Sequence, residues 1–138
     1  MEISEESALW VQENIMVQWV HADPSFAYTF GLWNAHLPEL IIVGMPFRQA
    51  GMTLNLIAAA MHANGPFRVG DLDTDIFTLP TKFGSVSTEE IEEKMTQTIA
   101  HARDGRGDVL QVLWPDRRGI FPDEPGYSVE FASQKVLA

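Results

Sequence analysis

Residues 26–46 read FAYTFGLWNAHLPELIIVGMP, two strand-like runs around a short loop. From Phe26 to Leu32 the run alternates, with Phe26, Tyr28 and Phe30 on one side and Ala27, Thr29 and Gly31 on the other. ELIIVG, residues 39–44, is apolar on both faces, the pattern of a strand inside a sheet. Upstream, NIMVQWVHA (14–22) is rich in β-branched and aromatic residues and stops at Asp23-Pro24. Short loops join the three, so the expectation is an antiparallel meander. The small strip Ala27, Thr29 and Gly31 leaves space that a core helix fills by default.

Outside this hairpin the pattern changes to helices. Ser4 can cap a short helix to about Glu13, with Glu5 and Glu6 favoured by the dipole of its first turn. Leu54, Ile57, Ala58 and Met61 form the core stripe of a helix over about 48–64, stopped at Asn64-Gly65-Pro66. Ser87 and Glu90 form a capping box for a helix to about Arg103, with Ile91, Met95, Ile99 and Ala102 as its stripe. Between these helices, residues 67–86 read as loop with one or two short strands, IFTL (76–79) being the best candidate. DVLQVLW (108–114) reads as a strand, Asp116 to Gly119 as a type I turn, and 128–138 as a last edge strand. The expected fold is one α+β domain over 1–138: an antiparallel sheet of about five strands, two main helices packed on one face, and a short N-terminal helix.

Composition narrows the function. The 138-residue chain has no cysteine, which removes disulfides, thiolate nucleophiles and thiolate metal sites. Its net charge is −10, and no Lys or Arg precedes Arg48. Nucleic-acid binding needs a basic face, so DNA and RNA are not expected as partners. Arg103 and Arg106 are separated from Arg117 and Arg118 by a strand about 20 Å long, too far to share one phosphate. The opening MEISEESALW is no signal peptide, and no apolar run approaches the roughly 20 residues of a bilayer span. A cytoplasmic protein without membrane contact is expected.

Several motifs fail on inspection. DLDTD (71–75) starts like a calcium loop, but Ile76 stands where glycine is required and Lys82 where the bidentate glutamate belongs. GRG (105–107) lacks the third glycine of a dinucleotide fingerprint and precedes a strand. His62 shares a helix face with Arg48 and Asn55, read as the wet side, and His101 lies on the outer face of the acidic helix. His21 adjoins the Asp23-Pro24 turn. No cofactor or metal is expected. The candidate site is the hairpin mouth, where His36 and Glu39 could act as acid and base or fix a ligand, and Trp33 could stack on a flat one.

Three segments together resemble a known family: FAYTFGL (26–32), PELIIVGMP (38–46) and LQVLWPDRRGIFP (110–122). They look like the bacterial and phage family catalogued as domain of unknown function number four-two-six-two, whose members show A-Y-T-x-G-L, P-E-L and W-P-D-x-x-G-x-F-P. Members often carry a histidine directly before Pro-Glu and another opening the first strand; this chain has Leu37 and Asn14 there. The resemblance implies that Tyr28, Thr29, Pro38, Glu39, Trp114, Asp116 and Phe121 converge. A carboxylate opening an apolar strand needs a partner if buried, so Glu39 should meet a hydroxyl or Arg117.

Three functional readings follow. The first is a non-enzymatic domain binding a small, nucleotide-like ligand through Tyr28, Thr29, Trp33, His36, Glu39, Trp114, Asp116 and Arg117, as a phage or bacterial sequestering protein. The second is an interaction or inhibitor module, with room for a homo-oligomer, marked by an exposed patch of Trp10, Trp19, Phe121 and Tyr127. The third is a small hydrolase using His36 and Glu39.

Overall fold

The computed structural model describes residues 3–128 and 134–138. Ser4 caps α1 (Glu5–Asn14) by accepting the Ser7 amide at 3.2 Å. The meander then forms as read: β1 (Met16–Val20), β2 (Phe26–Phe30) and β3 (Glu39–Val43), each antiparallel to the next, with a 3₁₀ turn at Trp33–Ala35. α2 (Phe47–Asn64) follows, then β4 (Leu72–Asp73), β5 (Thr81–Ser85), α3 (Thr88–Lys94), α4 (Thr96–Ala100) and β6 (Val109–Leu113).

The sheet has six strands in the order β1-β2-β3-β6-β5-β4 rather than about five. It is antiparallel except at its centre, where β6 lies parallel to β3 with Glu39 opposite Val109. The IFTL strand does not form: Ile76–Leu79 is loop, and the strands of that region are β4 and β5. Buried Thr81 and Phe83 supply the period-two pattern there, obscured by Lys82 and Gly84. The expected strand over 128–138 falls largely outside the described residues; Gln134–Ala138 is not strand.

Helices cover both faces, not one. Leu40 and Ile42 of β3 pack in the cluster with α2, whereas Ile41 and Val43 pack with Met95. This is why β3 is apolar on both sides: successive side chains enter different cores. The expected single helix to Arg103 is broken at Met95 (φ −101°, ψ 51°), which turns its buried side chain into the second core. His62 also departs from the wet-face reading: its Nδ1 meets the Ser7 hydroxyl at 2.8 Å, and Trp10 stacks on its ring at 4.3 Å, joining α1 to α2.

Candidate functional site

Glu39 opens β3 with only 1 % of its surface exposed. Its Oε1 accepts from the Thr29 hydroxyl (2.8 Å) and the Leu32 amide (3.1 Å), its Oε2 from the amides of Gly31 (3.1 Å) and Trp33 (3.0 Å). The partner is a hydroxyl, one of the two alternatives; Arg117 is exposed on a distant turn. Thr29 also accepts the Leu40 amide at 2.9 Å, filling the gap where β2 peels away from β3. The motif residues Thr29, Gly31, Leu32 and Glu39 are thus one hydrogen-bonded unit that ties off the end of the hairpin. Gly31 is required there, since its φ is +113° and a Cβ would come within 2.5 Å of the Asn14 carbonyl.

Burial pushes the Glu39 carboxyl up to about 7 against the pull of its four donors, Trp33, Thr29, Leu32 and Gly31. Each oxygen is already engaged by two donors, and His36 is not among them. His36 caps the 3₁₀ turn in the left-handed conformation (φ 60°, ψ 32°), is exposed, and makes no side-chain hydrogen bond among the described residues. The His36–Glu39 acid–base pair therefore does not form.

Tyr28 is buried too, its hydroxyl accepting the Gln97 amide at 3.1 Å, while the Thr98 hydroxyl donates to the Thr29 carbonyl at 2.7 Å. Both residues anchor α4 to the sheet. Trp33 donates its indole N–H to the Asp108 carbonyl (2.8 Å), which also receives the Glu39 amide (3.0 Å).

The expected convergence on the Trp-Pro-Asp corner fails for a topological reason. Because β3 and β6 are parallel from Glu39 and Val109, Trp114 lies roughly 16 Å further along, at the other end of the sheet. There Asp116 plays a part like that of Glu39. It accepts the amides of Arg118 (2.9 Å), Ile120 (3.0 Å) and Ser128 (2.9 Å). Burial raises its proton affinity, but the Ile120, Ser128 and Arg118 amides and the Arg118 charge outweigh it and hold the carboxyl below its usual range.

Two grooves flank the central strand pair. At the amino ends, Trp33, His36, Pro38, Arg68, Arg106 and Asp108 line a polar groove of about 440 Å³. At the carboxyl ends, Ile42, Met45, Phe77, Leu79, Val112 and Trp114 line an apolar one of about 320 Å³. Trp33 and His36 reach the first and Trp114 the second; Tyr28, Thr29, Glu39 and Asp116 are closed to solvent. Phe77 and Leu79 lie outside the family segments and Met45 at the end of one, and only the rule that pockets gather at the carboxyl ends of parallel strands would have pointed to them as groove walls. In 71–75 Asp73 accepts the amides of Asp75 and Ile76, and no group of three metal-ligating side chains occurs among the described residues. No helix there is long and apolar enough to cross a membrane. The expected aromatic patch is not formed as such, since Phe121 is buried.

These features define a small α+β domain whose sheet is tied at both ends by a buried carboxylate. The pattern of the family described as Domain of unknown function (DUF4262) matches residues 10–128, and the chain belongs to that family. Neither a curated protein nor a solved structure matches it.

Proposed function

We propose that the domain binds a small apolar or aromatic molecule, without altering it, in the groove at the carboxyl ends of β3 and β6. The observation that carries this reading is the groove itself: about 320 Å³, walled by Ile42, Val112, Phe77 and Trp114, with hydroxyls at Thr53, Thr78 and Thr81. That size, and an apolar wall with a few polar groups, is what small-ligand sites share. The Trp114 ring offers a stacking face, while its main chain is fixed by Gln134, which accepts from its amide (3.1 Å) and donates to its carbonyl (2.9 Å). Binding is favoured over chemistry because Glu39 and Asp116, the carboxylates at the two ends of the central strands, are already engaged by main-chain amides and, for Glu39, the Thr29 hydroxyl.

The test is a thermal-shift screen of small aromatic and aliphatic fragments against the native chain and Thr53→Trp, which fills the groove. A ligand at a hundred times its Kd stabilises by about 2.7 kcal/mol. Stabilisation of the native chain and none of Thr53→Trp is expected. An equal response from both, or none from either, contradicts the reading.

A further inference from the structure

The outer edge of β1 is the feature the ligand groove does not explain. β1 pairs with β2 on one side, and among the described residues nothing pairs with the other. Gln18 Nε2 donates to the Trp19 carbonyl at 3.2 Å, so that carbonyl points away from β2. By the alternation of an antiparallel ladder, the main-chain groups of Val17 and Trp19 face outward while Met16, Gln18 and Val20 bond to β2. Edge strands are normally guarded by lysine, proline or a bulge. MVQWV has none of these, although the chain carries 28 charged residues, 9 basic and 19 acidic.

We propose that β1 is a self-association edge, pairing antiparallel with β1 of a second copy about a two-fold axis through Gln18. The run is complementary to itself in that register. Val17 meets the partner's Trp19 and exchanges main-chain hydrogen bonds with it, and Met16 meets the partner's Val20, apolar against apolar on both faces. No charge is buried. Flanking carboxylates Glu13 and Asp23 approach those of the second copy at the rim, so salt strengthens the pairing. A strand of five residues buries less than the roughly 1,200 Å² of a standard interface, so the dimer is weak and concentration-dependent.

Gln18 is exposed, which lets it be replaced without disturbing the fold. Because the chain has no cysteine, Gln18→Cys reports the axis directly, with exposed Met52→Cys as the control off the edge. The experiment combines oxidative crosslinking of both variants with sedimentation equilibrium of the native chain and Gln18→Lys up to millimolar concentration. The expected result is a native mass rising towards twice the monomer, a Gln18→Lys variant that stays monomeric, and a disulfide dimer at least tenfold faster from Gln18→Cys than from Met52→Cys. A native chain that stays monomeric throughout overturns the proposal. So does a dimer unaffected by Gln18→Lys, or equal crosslinking from the two cysteines, either of which places the contact elsewhere.

Discussion

Glu39 is the residue on which the hairpin depends. Glu39→Ala strands three amides and a hydroxyl in the interior, and the expected loss is about 3–5 kcal/mol in urea unfolding. Its titration has a sign of its own. A folded value of about 7 against an ordinary 4.5 means that the native state holds the proton more tightly. The contribution is therefore complete below about pH 4.5 and is lost as pH rises through 7, up to roughly 3 kcal/mol. In Glu39→Gln the amide nitrogen faces at least one backbone donor in either orientation, so the variant should be about 1–3 kcal/mol less stable at pH 5 and lose most of the decline between pH 5 and 8. Urea midpoints across that range check both statements. Gly107 is the other sensitive position, because a Cβ there would lie 2.9 Å from Trp33 Cδ1. Gly107→Ala should cost about 1–3 kcal/mol and redshift the tryptophan emission as Trp33 is displaced.

Elements show where local pattern suffices and where it does not. The caps at Ser4 and Ser87, the α2 stripe and the β1-β2-β3 meander were legible because each signal lies within about twenty residues of chain. The Thr29–Glu39 contact was half legible: an acid opening an apolar strand demanded a donor, and a hydroxyl lay on the facing strand. The parallel docking of β6 was not legible, since no residue between Val43 and Val109 encodes which strand lies beside β3. That one pairing moved Trp114 and Asp116 away from Glu39. The α1–α2 clamp was hidden for a similar reason, Ser7 and His62 being 55 positions apart. Ser7→Ala should cost about 1 kcal/mol and raise hydrogen exchange in α1 before the sheet amides.

At the scale of the molecule the two carboxylates oppose each other in pH. Asp116, held below its usual range, contributes fully above about pH 3.8 and is lost below it; Glu39 is lost upward through 7. Net charge adds to the second trend, since the chain is near neutrality at its pI of about 4.6 and reaches −10 at pH 7. Stability should therefore peak between about pH 4 and 5, and guanidinium or urea midpoints at half-unit intervals will show whether it does. The same architecture separates two grooves by the length of the central strands, and the proposed function depends on which of them holds a ligand. Indole N–H resonances decide this most directly, because Trp33 borders one groove and Trp114 the other. On titrating fragments that stabilise the protein, the Trp114 resonance should move and saturate while that of Trp33 stays in place. Movement of Trp33 with Trp114 unchanged would contradict the account.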